Sequence, residues 1–239
     1  AFFDGEIERI MQVNLDPIVA SPNKLTNILS NDKNCSIQIT NTSLYDTSLV
    51  WIEKINHPVE PKGGARLSSV YQLQPFELAL KDTIRIGIRY SNHIKNMKNI
   101  SLYYYNQKDG WTFLPSSMHT NRQVIASTLF SLDAITIMQD IEPPFIRKVY
   151  PENRGRFHYK DLKTISVIAD DYLSGLNSDE KSMNMKLDDI PVRYAFQPIK
   201  KELSYYLPTP LEAGEHTMEY KISDQAGNII SGISTFMVD

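Results

Sequence analysis

The residues EHTMEYKISDQAGNIISGISTFMV, at positions 215–238, decide the fold class. Met218, Tyr220 and Ile222 alternate with polar residues, which is the two-residue period of a strand with one face in a core and the other in water. The next residues, 224–228, supply Asp, Gly and Asn for a turn, and a second β-rich run follows. The stretch therefore predicts a β-hairpin. An isolated hairpin is only marginally stable in water, so the preceding chain must provide further strands.

The rest of the sequence predicts strands and almost no helix. Short β-rich runs alternate with turn residues along the chain. The predicted strands are 36–40, 49–55, 67–73, 83–90, 101–105, 111–114, 124–129, 134–138, 146–150, 163–169, 182–187, 192–196 and 203–207, followed by the hairpin. The predicted fold class is all-β.

Two consecutive prolines, Pro143 and Pro144, indicate a domain boundary, because proline lacks a backbone N–H and stiffens the chain. Residues 35–140 are predicted to form a first β-sandwich. Residues 141–239 are predicted to form a second, immunoglobulin-like sandwich, since they carry the strand density of that fold. Residues 1–34 are interpreted as a linker or the end of a preceding unit, with 6–13 as a short strand or helical turn.

Composition excludes several classes of function. The chain has 239 residues, a formal net charge of −3 and a pI near 6.0, which argues against nucleic-acid binding because that requires clustered Lys and Arg. The single cysteine, Cys35, cannot form an internal disulfide. No apolar run approaches the roughly 18 residues of a membrane span. The chain begins Ala-Phe-Phe-Asp, without a Met or a basic signal region, so we expect a start that is processed or excised from something longer.

Three segments of the second predicted domain carry a resemblance to a known family. Residues 170–176, DDYLSGL, are similar to the "DxxSGI" loop of bacterial immunoglobulin-like repeats, and residues 224–228, DQAGN, match their "DxAGN" turn. Residues 186–192, KLDDIPV, are similar to the family's "vtlnGkpV" turn, although Asp189 stands where the family has glycine. The second domain therefore resembles a bacterial immunoglobulin-like repeat.

The first predicted domain is similar to the sandwich shared by ankyrins, netrin receptors and zonula-occludens proteins. Residues 67–76, residues 105–116 with the pattern Y-N-x-x-x-G-W-x-x-L-P-S, and Phe130-Ser131 carry this resemblance. Pairs of such domains resemble the non-catalytic tails of envelope proteins, among them lysostaphin-type zinc endopeptidases. The resemblance assigns no chemistry to this chain.

A direct search for catalytic motifs predicts no enzyme. The five histidines are widely separated and show none of the spacings that place zinc ligands on one element. The sequence has no G-x-S-x-G elbow, and Gly63-Gly64 is not followed by the Lys-Ser/Thr of a phosphate loop. Solvated loop charges explain the acidic residues better than a carboxylate pair for glycoside hydrolysis.

Two tyrosines are candidate ligand-binding residues. If Leu102 and Tyr104 point inward, Tyr103 and Tyr105 face outward and can stack on a sugar or peptide. Ordinary cross-strand packing is the favoured alternative. Trp111 is predicted to pack in the core beneath its hairpin.

A calcium site is the second candidate. In an immunoglobulin-like sandwich the loop between the second and third strands meets the turn of the closing hairpin at one end. These segments carry oxygen ligands suited to calcium; they are Asp170, Asp171, Asp179, Asp224 and Asn228. The favoured alternative is that Asp170 and Asp224 accept hydrogen bonds from backbone N–H groups of their own turns, that the other residues lie in water and that no cofactor binds.

The expected function is a non-catalytic spacer, scaffold or adhesion module of a secreted or cell-envelope protein, located outside the cell or in the periplasm. Its expected partners are neighbouring domains of the same polypeptide, with a surface glycan or protein as a further partner. One alternative is a carbohydrate-binding accessory module that uses Tyr103 and Tyr105. The other is the non-catalytic C-terminal part of a peptidoglycan-directed zinc endopeptidase.

Overall fold

The structure, a computed structural model, describes residues 16–94 and 96–239, and these residues form two β-sandwiches. Within these ranges, helix is confined to two 3-10 turns, Thr120–Arg122 and Glu180–Ser182. In this part of the chain no helix has the length and apolar character needed to cross a membrane. The strands are β1 (Ile18–Ala20), β2 (Thr26–Leu29), β3 (Cys35–Ile39), β4 (Ser48–Ile55), β5 (Gly64–Arg66), β6 (Val70–Gln74), β7 (Ile84–Arg89), β8 (Ile100–Asn106), β9 (Gly110–Leu114), β10 (Ser117–His119), β11 (Val124–Leu129), β12 (Ala134–Asp140), β13 (Phe145–Tyr150), β14 (Arg156–Phe157), β15 (Thr164–Asp170), β16 (Met183–Leu187), β17 (Ile190–Pro191), β18 (Ala195–Gln197), β19 (Glu202–Tyr206), β20 (Gly214–Ser223) and β21 (Ile229–Val238).

The first sandwich packs a seven-stranded sheet on a five-stranded sheet. The larger sheet has the order β1-β4-β6-β12-β8-β9, with β5 also paired to β12, and the smaller has the order β10-β11-β7-β3-β2. Alternation along β7 places Ile84, Ile86 and Ile88 in the core between the sheets, while Arg85 and Arg89 are exposed.

The interpretation of residues 1–34 as a linker is wrong for the part that the structure describes. Strand β1 pairs with β4, and β2 pairs with β3, so one strand joins each sheet of the first sandwich. Ala20 and Ile28 are buried in the common core. Burial of these apolar side chains and the added ladder hydrogen bonds override the turn residues between the strands. Residues 1–15, which include the element predicted at 6–13, lie outside the described residues.

The second sandwich has the immunoglobulin arrangement. One sheet has the order β13-β15-β19-β18 and the other has the order β14-β21-β20-β16-β17. In the nomenclature of the immunoglobulin fold, the first sheet contains strands A, B, E and D, and the second contains strands A′, G, F, C and C′. The closing hairpin, β20 with β21, is the hairpin predicted at residues 215–238, and β14 pairs parallel with the outer side of β21.

The two sandwiches meet in a buried junction. Strand β12 ends at Asp140 and β13 begins at Phe145, so the two prolines fall between the sandwiches as predicted. A separate apolar cluster lies there, formed by Val70, Tyr103, Trp111, Ala134 and Met138 of the first sandwich and Leu173 of the second. A Cβ on Gly64 would lie 2.3 Å from Cδ2 of Leu173, so glycine is what allows this leucine to approach.

Candidate functional site

Three carboxylates from three separate segments converge at the junction. Asp140 ends β12 of the first sandwich, Asp171 follows β15 of the second, and Asp224 follows β20. Each offers an oxygen within 4.8 Å of the others. Asp140 and Asp224 are 1% and 0% exposed, and Asp171 is half-buried, so the charges are largely removed from water.

Asp171 and Asp224 are held in place by their own turns. One oxygen of Asp171 accepts hydrogen bonds from the N–H groups of Leu173 (3.0 Å) and Gly175 (2.8 Å). Oδ1 of Asp224 accepts them from Gly227 (2.6 Å) and Asn228 (2.8 Å). These are the local side-chain to backbone bonds for which Asp is favoured in turns.

The two turns are also bonded to each other, which confirms the prediction that they share one end of the sandwich. The side-chain amide of Gln225 donates to the carbonyl of Ser174 at 2.7 Å, and its N–H donates to the carbonyl of Gly175 at 2.9 Å. Gly175 has a φ of +79°, which favours glycine at this point of close approach. The two resemblance motifs therefore form one structural unit.

Asp140 brings the first sandwich into contact with this unit. Its Oδ2 accepts a hydrogen bond from the N–H of Ser174 at 3.1 Å. Its Oδ1 is buried and has no hydrogen-bond partner among the described residues, and the same holds for the hydroxyl of Tyr103. A buried polar group without a partner costs about 1 to 3 kcal/mol, so two of them beside one carboxylate cluster need an explanation.

Among the described residues, no ion pair joins Asp140, Asp171 or Asp224 to a basic side chain. Burial raises the pKa of Asp140, the charges of Asp171 and Asp224 raise it further, and hydrogen bonds from Ser174 lower it, so that the pKa is about 6. Burial also raises the pKa of Asp224 despite the hydrogen bonds from Asn228. The pKa of Tyr103 is raised by burial and by all three carboxylates, so its hydroxyl lies within their field.

Asn228 connects the sandwiches beside the carboxylates. Its amide nitrogen donates to Oδ2 of Asp224 at 2.8 Å and to the carbonyl of Asp140 at 3.3 Å. Its amide oxygen accepts a hydrogen bond from the side chain of Asn99 in the first sandwich. A predicted calcium ligand therefore acts, in the structure, as a bridge between the two sandwiches.

Asp170 and Asp179 lie outside the cluster, and for them the predicted ligand set is wrong. Asp170 is the last residue of β15 and forms ion pairs with Arg147 and Lys201. Burial raises the pKa of Asp170, but these partners outweigh it and the pKa is lowered. Asp179 is exposed, and its Oδ1 accepts the N–H of Lys181 at 3.2 Å in the second 3-10 turn.

The structure also corrects the ligand-binding role predicted for Tyr103 and Tyr105. The alternation is as predicted, since Leu102 lies in the core of the first sandwich and Tyr103 lies on the opposite face. That face is covered at the junction, however, and Tyr103 is 0% exposed. Tyr105 is half-buried, with its ring 4.2 Å from that of His57 and 5.3 Å from that of Trp111. Neither tyrosine presents a free stacking surface.

The cluster has the ligand chemistry of a hard cation. It offers carboxylate oxygens without histidine or cysteine, and such ligands suit calcium or magnesium rather than zinc or copper. The sequence prediction missed Asp140, although its position is a usable signal: it is the last residue before the proline-containing boundary, where the first sandwich must meet the second.

The fold and this junction define an all-β protein with two sandwiches, the second of them immunoglobulin-like. No protein-family model and no curated protein sequence matches the chain.

Among solved structures, CopC from Methylosinus trichosporium OB3b is similar over 40% of this chain and 93% of its own, with 19% identity and a TM-score of 0.34. PcoC, a methionine-rich copper resistance protein from Escherichia coli, is similar over 41% of this chain and 100% of its own, with 18% identity and a TM-score of 0.34. Immunoglobulin domains 1–4 of Sidekick-1 are similar over 92% of this chain and 73% of their own, with 11% identity and a TM-score of 0.27. At these TM-scores the likenesses assign no function, so the site is interpreted from its own residues.

Proposed function

We propose that this chain is a rigid, non-catalytic two-domain spacer or scaffold of a secreted or cell-envelope protein, located outside the cell or in the periplasm, whose partners are neighbouring domains of the same polypeptide. The observation that carries the proposal is the buried junction, in which Leu173 of the second sandwich packs among apolar side chains of the first. Joined domains move relative to one another unless their interface is large and apolar. A packed junction suits a spacer that sets a distance.

Polar contacts reinforce the packing at the junction. Asp140 accepts a hydrogen bond from Ser174, and Asn99 donates one to Asn228 across the boundary. Burial of one leucine side chain contributes about 1.5 to 3 kcal/mol, and each buried hydrogen bond adds about 1 kcal/mol. Together these terms favour one relative orientation of the two sandwiches over free rotation about the linker.

The alternative of a carbohydrate-binding module is not favoured. It rests on stacking by Tyr103 and Tyr105, and the burial of Tyr103 takes away half of that surface. The proposal therefore expects no signal for the purified chain on a glycan array and no turnover of peptidoglycan, peptides or glycosides. Specific glycan binding that Tyr105→Ala abolishes would contradict it.

The decisive test is whether the two sandwiches tumble as one body. We expect 15N relaxation to give the same rotational correlation time for amides of both sandwiches. Leu173→Asp should give two shorter correlation times while each sandwich stays folded, because Leu173 contributes to the junction cluster and not to the main core of the second sandwich. Ile199→Asp is the matched control. Ile199 is 98% exposed, so this substitution adds the same charge at a position away from the junction.

Separate correlation times for the two sandwiches of the unmodified protein would overturn the proposal. So would a Leu173→Asp protein that tumbles like the unmodified one. The amide spectrum of each variant shows whether both sandwiches remain folded, and this separates loss of the junction from loss of the fold.

A further inference from the structure

The junction contains more negative charge than its packing requires. Asp140, Asp171 and Asp224 lie together with two of the three almost fully buried, and no basic side chain of the described residues pairs with them. Like charges at this separation repel one another strongly where water is excluded. A structural role alone would be served as well by asparagine, which makes the same turn hydrogen bonds without charge.

A second observation points to a ligand at the same place. Oδ1 of Asp140 and the hydroxyl of Tyr103 are both buried and have no hydrogen-bond partner among the described residues. The Tyr103 hydroxyl belongs to the first sandwich and is 0% exposed, and all three carboxylates act on it electrostatically. Native proteins satisfy nearly all buried polar groups with protein, water or an ion.

We propose that a calcium ion binds at the junction on the carboxylates of Asp140, Asp171 and Asp224 and holds the two sandwiches together. Calcium takes six to eight oxygen ligands in irregular arrangements, whereas magnesium demands an octahedron and keeps several waters. The burial of Asp140 and Asp224 leaves little room for those waters. Rotation of the Asn228 amide would add a neutral oxygen of the kind that calcium accepts.

This inference goes beyond the proposed function, because packing alone can make a junction rigid and a calcium site can exist in a flexible one. The proposed calcium ligands come from both sandwiches. Asp140 belongs to the first, and Asp171 and Asp224 belong to the second. Bound calcium therefore opposes separation of the sandwiches as well as unfolding of either one.

The first test compares thermal unfolding of the full chain in calcium chloride and in chelator. At a calcium concentration a hundredfold above the dissociation constant, we expect the Tm to rise by about 5 to 10 °C. Isothermal titration calorimetry should give one site per chain, and magnesium chloride at the same concentration should give a smaller shift. An unchanged Tm in millimolar calcium, or equal affinity for magnesium, would overturn the proposal.

The second test uses Asp140→Asn, which keeps an oxygen for the N–H of Ser174 and removes one charge. We expect calcium affinity to fall by about tenfold or more and the Tm in chelator to stay the same or rise, since repulsion is relieved. Asp179→Asn is the matched control, because Asp179 is an exposed aspartate of the originally predicted set that lies outside the cluster. It should keep the full calcium response.

A third measurement needs no variant to fold. Terbium(III) enters oxygen-rich calcium sites and emits when a nearby aromatic side chain absorbs light, and Tyr103 is part of the same junction. Emission that calcium displaces supports the site. Absence of terbium emission rules out the calcium site. A calcium response that Asp140→Asn leaves intact and Asp179→Asn abolishes also rules it out. If Asp140→Asn does not fold, Asp171→Asn serves the same purpose, since asparagine can still accept the N–H of Gly175.

Discussion

His216 places its two ring nitrogens between two hydrogen-bond acceptors. Nδ1 lies 2.7 Å from Oδ2 of Asp188, and Nε2 lies 2.9 Å from the carbonyl oxygen of Glu212. Both nitrogens can donate only in the protonated imidazolium. Burial lowers the pKa of His216, but the hydrogen bonds to Asp188 and Glu212 outweigh it and the pKa is raised.

This geometry predicts a loss of stability with rising pH. Because the folded-state pKa of His216 lies above the unfolded value of 6.5, its contribution is fully present below pH 6.5 and is lost as the pH rises through the folded-state pKa. The partner carboxylate is 42% exposed, so the contribution is at most about 1 kcal/mol. Urea unfolding at about pH 5.5 and about pH 8.5 should show a larger penalty for His216→Gln at the lower pH. His119→Gln, at an exposed histidine, is the control, and equal penalties at both pH values would refute the assignment.

At the same scale, the sequence predicts which turns are acidic but not which carboxylates meet. Asp170 and Asp171 are adjacent, yet Asp170 pairs with Arg147 and Lys201 whereas Asp171 joins the carboxylates of the junction. Asp140 could not be grouped with them, because its proximity depends on how the first sandwich docks on the second. That docking rests on long-range packing, which no local pattern encodes.

Among the elements, the turn between β16 and β17 has a sequence that does not fit its backbone. Leu187 pairs with Ile190, so Asp188 and Asp189 form a two-residue hairpin turn. Their φ angles are +49° and +64°, both in the left-handed region, as in a type I′ turn. Glycine is favoured at the second position of such a turn, where this sequence has Asp189.

Asp189→Gly should therefore stabilise the second sandwich. Glycine adopts a positive φ without the steric cost that other residues pay, and the expected gain in the free energy of unfolding is up to about 1 kcal/mol. Chemical denaturation measures the change directly. Asp189→Ala is the informative comparison, because alanine has the same difficulty with positive φ and lacks the local hydrogen bonding of aspartate. If the alanine variant were as stable as the glycine variant, backbone strain would not explain the effect.

Strands were predictable where alternation runs for five residues or more, as in β7, β15 and β20. The strands that sequence analysis missed are short; they are β1, β2, β5, β10, β14 and β17. Each has two to four residues, which is too few to establish a period of two. They form because a partner strand from elsewhere in the chain offers free backbone groups, as β4 does for β1.

On the scale of the whole molecule, each sandwich has its own main core. The core of the second is built entirely from residues beyond the proline boundary, so fragment 141–239 should unfold cooperatively by itself. The first sandwich requires residues before position 35, because β1 and β2 supply Ala20 and Ile28 to its core. Fragment 16–140 should therefore fold, and fragment 35–140 should be less stable by about 2 to 5 kcal/mol, from the loss of Ile28 alone.

Urea denaturation of the three fragments, followed by circular dichroism, checks this prediction. Equal stability of fragments 16–140 and 35–140 would mean that β1 and β2 add nothing to the first sandwich. A fragment 141–239 without a cooperative transition would mean that the second sandwich depends on the junction. The full chain serves as the reference for both comparisons.

The parallel pairing of β14 with β21 determines how the second sandwich would respond to force. The N–H of Met237 bonds to the carbonyl of Gly155 at 2.9 Å, and that of Asp239 bonds to the carbonyl of Phe157 at 3.0 Å. Strand β14 lies near the start of this sandwich and β21 at its end, so tension along the polypeptide pulls the two strands past each other lengthwise. In that geometry the bonds bear the tension simultaneously and must break together, whereas the antiparallel hairpin, if pulled open at one end, would release its bonds one at a time. Pulling the two ends of the second sandwich apart would therefore load these hydrogen bonds in shear.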